Sequence, residues 1–114
     1  LARAGARLFV TDIADAKRAV AADRGATWIA PEEALTTEAD VFVPAGIGGI
    51  LTAEVIDDLD ALAVCGPANN PLAEHSGADR LAARGILYAP DFVVNAGGVI
   101  YLDLEAKKLG TREE

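Results

Sequence analysis

The sequence predicts a doubly wound α/β fold, a mainly parallel sheet with helices on both faces, and three observations predict it. Short, continuously apolar runs recur along the chain, helical segments separate them, and loops bearing glycine or asparagine follow several of them. Strands apolar at every position and joined through helices require parallel pairing with both sheet faces covered. A length of 114 residues allows one modest domain.

The elements follow in order. Leu1-Ala2-Arg3-Ala4-Gly5 reads as the last turn of a helix closed by glycine. An opening of that kind, without Met, is the one expected of a piece of a longer protein. Leu8-Phe9-Val10 is a short strand ending at Thr11-Asp12. From Ala14 to Arg24, Ala16, Ala19, Val20 and Ala22 alternate with charged residues up to Gly25, the spacing of an amphipathic helix. Thr27-Trp28-Ile29 is a second strand, Pro31 to Leu35 a short helix with proline at its first position, and Val41-Phe42-Val43 a third strand. A loop with three glycines, Pro44 to Gly49, leads to a helix from Thr52 to Leu59 with Thr52 as N-cap. Ala61 to Cys65 is a fully apolar strand, Gly66 to Asn70 a loop, Ser76 to Arg84 a helix closed by Gly85, and Ile86-Leu87-Tyr88 a strand reaching Pro90-Asp91. Asn95-Ala96-Gly97-Gly98 then opens an amphipathic helix running toward Lys108.

Composition excludes several classes. Lys+Arg 10 against Asp+Glu 18 gives a net charge of −8, which disfavours binding to nucleic acid or an anionic membrane surface through bulk electrostatics. The single cysteine, Cys65, removes an internal disulfide framework and any multi-cysteine metal site, and fits a reducing compartment. No apolar run approaches the roughly 20 residues of a membrane-spanning helix. A soluble, cytoplasmic protein with no metal is the expectation.

In parallel α/β sheets ligands sit beyond the carboxyl ends of the strands, so the residues just after each strand carry the functional question. Asp12 ends an early strand, where its oxygens could accept from the ribose hydroxyls of an adenine dinucleotide or could instead cap the helix at Ala14. Gly46, Gly48 and Gly49 let a backbone approach a flat ligand or simply make a bend. Asn69 and Asn70 could bond a carboxamide or ribose, or form an Asx turn before Pro71. Asn95 with Gly97 and Gly98 offers a polar side chain and close backbone approach at a helix start. His75, in a polar stretch, reads as a surface residue; Tyr88 and Cys65 read as core. Glu32 with Glu33, and Asp57 with Asp58, read as solvated helix faces. With one His and one Cys, catalytic triads and Cys/His zinc sites lack members.

Four segments together, Val10-Thr11-Asp12, Val43-Pro44-Ala45-Gly46-Ile47-Gly48-Gly49, Gly66-Pro67-Ala68-Asn69-Asn70 and above all the run from Gly85 to Val99 containing "YAPD" and "NAGG", resemble the cofactor domain of the glutamate/leucine/phenylalanine/valine dehydrogenase family. The wording is that of the phenylalanine, leucine and valine enzymes. The resemblance implies that residues 1–114 are a fragment of a Rossmann-like NAD-binding domain. The glycine-rich phosphate loop and an N-terminal catalytic domain, which in this family carries the catalytic Lys and Asp, would lie outside this chain. It implies NAD-dependent, reversible oxidative deamination of an apolar L-amino acid to its 2-oxo acid and ammonia, with homo-oligomers in the cytoplasm and no activity in the piece alone.

Position by position, the same resemblance implies Asp12 and Ile13 at the adenosine ribose and Pro44, Ala45 and Ile47 near the nicotinamide. It implies Asn69 or Asn70 at the nicotinamide ribose or substrate amine region, and Asn95 beside the reacting centre. Val99 and Leu102, one helical turn apart, would line the side-chain pocket with Asn95 and offer a glutamate carboxylate no partner. Two departures stand out: Gly46 where relatives of the leucine and phenylalanine type read Ala, and Pro67 in place of a small residue. The alternatives are a non-catalytic nucleotide-binding or regulatory module, and another NAD-dependent oxidoreductase, which has no reason to carry the 85–99 segment.

Overall fold

A computed structural model describes residues 1–107, as two compact units that divide between Glu38 and Ala39. The first unit opens on a 3-10 turn, Ala2–Ala4, closed by Gly5 in the left-handed region at φ +87°. Strand β1 (Phe9–Val10) runs parallel to β2 (Thr27–Trp28), with Thr27 N–H donating to Leu8 O at 2.8 Å and Ile29 N–H to Val10 O at 3.0 Å. Between them lies α1 (Lys17–Asp23), three residues shorter at its start than the sequence predicts. Asp12 is the reason: its Oδ1 accepts Ala14 N–H at 2.8 Å, and single turns through Ala14 and Asp15 fill the gap. Arg18 stacks over the Trp28 ring at 5.4 Å, holding the helix to its following strand. The predicted helix from Pro31 is a single 3-10 turn, Pro31–Glu33, in which Glu33 Oε2 accepts Ala30 N–H at 3.1 Å. Glu33 is therefore a cap as well as a solvated side chain.

The second unit contains three parallel strands in the order β3 (Ala39–Phe42), β4 (Ala61–Val64) and β5 (Leu87–Tyr88). Register pairs Phe42 with Val64 and Val64 with Tyr88, so the three carboxyl ends finish side by side. Strand β3 begins two residues earlier than expected, taking in Asp40, and stops before Val43. The next residue, Pro44, has no N–H to continue a ladder. Helix α2 (Ala53–Asp58) starts where Thr52 Oγ1 accepts Val55 N–H at 3.3 Å, as the sequence predicts. Helix α3 (Gly77–Ala83) ends at Arg84, with Gly85 left-handed at φ +74°.

Ile56, Leu59, Val64, Leu81 and Ile86 form the buried core with Leu51. The two helices pack where Gly77 brings backbone close to Ile56: a Cβ there would lie 3.3 Å from Ile56 Cδ1 and 3.0 Å from Leu72 Cδ2. Arg84 secures the far end of α2, Nη1 donating to Ile56 O and, at 2.9 Å, to Leu59 O. These are carbonyls that a helix C-terminus leaves unpaired, and a cation suits them. Asp57 is also more than a solvated carboxylate: Arg80 grips it with two bonds of 2.7 and 2.5 Å, which holds its pKa below the usual range.

Three expectations are corrected. Apolar strands do not mean burial on both faces within this unit, since Leu62 is 69% and Leu87 72% exposed. The segment after β5 holds an additional short helix, α4 (Asp91–Val94), before α5 (Gly97–Lys107). Helix α5 is not amphipathic: Val99, Ile100, Tyr101, Leu102 and Leu104 occupy all sides of it, and none is buried. Lys108, where the predicted helix ends, lies outside the described residues. Cys65 is half-buried, His75 is exposed as predicted, and Tyr88 is half-buried with burial raising its pKa.

Because Leu81 is fully buried on α3, Leu81→Ala is expected to cost about 2–5 kcal/mol in urea unfolding, whereas Ala82→Ser at the exposed next position stays within about 0.5 kcal/mol.

Candidate functional site

The loops that follow β3, β4 and β5 meet at the carboxyl edge of the three-stranded sheet. Backbone proximity is extreme at two glycines. A Cβ on Gly66 would lie 2.4 Å from Pro44 O and 2.7 Å from Pro44 N, so only glycine lets the β4 loop pass the β3 loop. Ala68 N–H then donates to Pro44 O at 3.0 Å. At Gly48 a Cβ would lie 2.8 Å from Asn69 O and 3.0 Å from Asn70 O. Gly49, at φ +72°, donates its N–H to Asn70 O at 2.8 Å. Of the three loop glycines singled out in sequence, Gly48 and Gly49 thus have stated jobs. Gly46 has open space around it.

The third loop supplies two clamps. Asn95 Nδ2 donates to Asn69 Oδ1 at 2.7 Å and to Pro67 O at 3.3 Å. Since Pro67 O can only accept, the Asn95 amide orientation is fixed, and with it that of Asn69. Among the described residues this leaves Asn69 Nδ2, a donor, and Asn95 Oδ1, an acceptor, without protein partners. Asp91 Oδ2 accepts the backbone N–H of Asn70 at 2.8 Å. Asn70 itself sits left-handed at φ +48°, a conformation asparagine tolerates better than most residues. Its side chain forms no Asx turn before Pro71 among the described residues, which removes the alternative raised by the sequence.

Of the residues singled out in sequence, Pro44, Asn69, Asn70 and Asn95 are therefore brought together. Pro44 is buried, Asn69 and Asn70 are exposed, and Asn95 is half-buried. Ala45 and Ile47 stand on the same β3 loop, with Ile47 84% exposed. Val99 and Leu102 lie one turn apart on α5, 72% and 66% exposed. Asp12 and Ile13 belong to the first unit, Ile13 fully exposed and Asp12 holding Ala14 through Oδ1 rather than capping α1. Sequence reasoning missed Asp91 as a member of the cluster, and also missed Gly66. A Pro-Asp pair at a helix start and a glycine immediately after an apolar strand were the available signals. Among the described residues no cluster of His, Cys, Asp and Glu could hold a metal ion, and no helix is long and apolar enough to cross a membrane.

What the arrangement can do chemically is hydrogen-bond a polar group, through the Asn69 donor and the Asn95 acceptor left without protein partners among the described residues.

Residues 6–111 match the family model described as Glutamate/Leucine/Phenylalanine/Valine dehydrogenase. The leucine dehydrogenase of Thermoactinomyces intermedius is 45% identical over 98 residues, covering 84% of this chain and 26% of that protein. The phenylalanine dehydrogenase of Bacillus thermotolerans is 41% identical over 102 residues, covering 84% of this chain and 27% of that protein. The crystal structure of L-tryptophan dehydrogenase from Nostoc punctiforme superposes with a TM-score of 0.78 at 42% identity, over 82% of this chain and 29% of that one. The chain thus spans less than a third of the length of the relatives it matches.

Gly66→Ala is expected to lower stability by about 1–3 kcal/mol, because the added methyl meets backbone that cannot rotate away, while Gly46→Ala stays within about 0.5 kcal/mol; thermal unfolding of the two variants beside the parent checks both.

Proposed function

This chain belongs to the glutamate/leucine/phenylalanine/valine dehydrogenase family, and from that premise we propose that it forms part of the NAD-binding domain of an enzyme that reversibly deaminates an apolar L-amino acid to its 2-oxo acid and ammonia. The observation that carries the reading is the convergence of Asn69, Asn70 and Asn95 on one loop cluster at the carboxyl ends of parallel strands.

The residues present fit a nicotinamide nucleotide. Gly48 and Gly66 let the loops after β3 and β4 pack backbone to backbone, and an amide donor and an amide acceptor remain for ribose hydroxyls or a carboxamide. In this reading Pro44, Ala45 and Ile47 pack near the nicotinamide end, Asn69 or Asn70 bonds its ribose, and Asn95 stands near the reacting centre. Asp12, whose Oδ2 has no partner among the described residues, accepts from the adenosine ribose with Ile13 beside it. When bound, the nicotinamide supplies the acceptor for hydride from the substrate α-carbon.

The chain's own contribution is positional. Asn95 and Asn69 hold each other in one amide orientation, so their remaining donor and acceptor meet a ligand without first reorganising. Val99 and Leu102 present apolar surface to the substrate side chain, and a carboxylate placed there would lose its water without gaining a partner. The general acid and base of the reaction belong, in this reading, to a domain outside this chain, and the assembled enzyme is a cytoplasmic homo-oligomer.

The test is NADH formation by the full-length protein that carries this chain, with NAD and L-Phe, L-Leu, L-Val, L-Ala or L-Glu at alkaline pH. Turnover with an apolar amino acid and none with L-Glu is expected. Asn95→Ala is expected to reduce kcat/KM about 10-fold, the loss of one well-placed hydrogen bond, and residues 1–114 alone to give no turnover. Silence of the full-length protein across the panel, with calorimetry still detecting NAD, would replace this reading by a non-catalytic nucleotide-binding module.

A further inference from the structure

We propose that Asp91 is a positioning residue of the nucleotide site, acting through the backbone of Asn70. The inference rests on the reading of the asparagine cluster as nucleotide contacts given above.

An aspartate at the first position of a helix ordinarily serves that helix's own exposed N–H groups. Asp91 does something else. Its Oδ2 reaches 21 residues back to accept Asn70 N–H at 2.8 Å. Asn70 is the only non-glycine among the described residues with positive φ, at +48°, in a conformation that costs free energy unless its surroundings hold it. The holding groups are visible on both sides of the residue: Asp91 takes the N–H, and Gly49 N–H takes the carbonyl at 2.8 Å. Removing the Asp91 carboxylate leaves only the second of these.

The consequence falls on Asn69 and Asn95. Asn69 is joined directly to the strained residue, and its Oδ1 is the acceptor that orients Asn95. Asp91 and Asn95 begin and close the same turn, Asn95 N–H donating to Asp91 O at 2.8 Å. The β5 loop therefore grips the β4 loop through two residues, first by the charged bond of Asp91 to the Asn70 backbone and second by the amide bonds of Asn95 to Asn69 Oδ1 and Pro67 O. Loss of the first grip lets Asn70 leave the left-handed region and carries Asn69 with it. The amides at the edge of the sheet are then misplaced while the core of the unit, built from Ile56, Leu59, Val64, Leu81 and Ile86, is untouched.

Steady-state kinetics and NADH fluorescence titration of the full-length protein test this, using Asp91→Ala, Asp91→Asn, Asn70→Gly and the double variant Asp91→Ala/Asn70→Gly. Asp91→Ala is expected to raise KM for NAD and lower kcat, for a combined loss of up to about 10-fold in kcat/KM, no larger than removal of the Asn95 contact itself. Asp91→Asn keeps an acceptor oxygen and is expected to restore activity to within about threefold of the parent. The double variant is expected to be no worse than the poorer single one, because both changes act on one element. Kinetics unchanged in Asp91→Ala with only a lower thermal midpoint, or losses that multiply in the double variant, would overturn the proposal. If the parent binds NADH but turns over no amino acid, the reaction reading fails alone. Asp91 is then judged by NADH affinity: a weaker Kd in Asp91→Ala supports its positioning role and an unchanged Kd overturns it.

Discussion

Gly66 follows β4 at a point where any Cβ would sit 2.4 Å from the carbonyl oxygen of Pro44, and the consequences run through the whole carboxyl edge of the β3–β4–β5 sheet. Parallel register brings three strand ends level, but level ends do not by themselves bring loops into contact. Contact requires that two main chains pass with nothing between them. Gly66 allows it on one side and Gly48, against the carbonyls of Asn69 and Asn70, allows it on the other. With both approaches made, the four residues from Pro67 to Asn70 are held by backbone bonds to Pro44 and Gly49 and by side-chain bonds from Asn95 and to Asp91.

The polar groups of this edge are consequently organised before any ligand arrives. A bound group need not spend free energy turning Asn95 or Asn69, because Pro67 O has already decided which way the Asn95 amide faces. The edge is exposed and still ordered. Its order comes from bonds between loops, whereas the buried core lies under α2 and α3, where Leu81 and Ile56 are packed and Arg84 closes the end of α2. The hydrogen bonds that order the edge and the apolar contacts of the core are thereby carried by different residues of one small unit.

Much of the fold was legible because apolar runs and glycine stops are local signals. Gly25 and Gly85 close their helices and Thr52 caps α2, as the sequence predicts. Strand limits were less legible: Asp40 joins β3 because pairing with β4 outweighs its poor strand propensity, and Pro44 ends the ladder. Asn69 and Asn70 could be singled out because they follow β4, and Asn95 because it opens a glycine-bearing turn into a helix. Asp91 could not be assigned to the cluster, since its partner lies 21 residues away and the choice between capping its own helix and reaching Asn70 is made by tertiary contact. Helix α5 misled for a different reason: with Val99, Ile100, Tyr101 and Leu102 consecutive, its apolar residues cover every side, and a count of apolar positions reads like a face only when the angular spread is ignored.

In the function proposed above, the loops at this sheet edge hold the nicotinamide end of the cofactor. Hydrogen–deuterium exchange of the full-length protein, with and without saturating NADH, tests it most directly. Slowed exchange concentrated in peptides covering residues 44–49, 66–70 and 91–98 is expected. Exchange unchanged in those peptides, with protection confined to other parts of the protein, would contradict it.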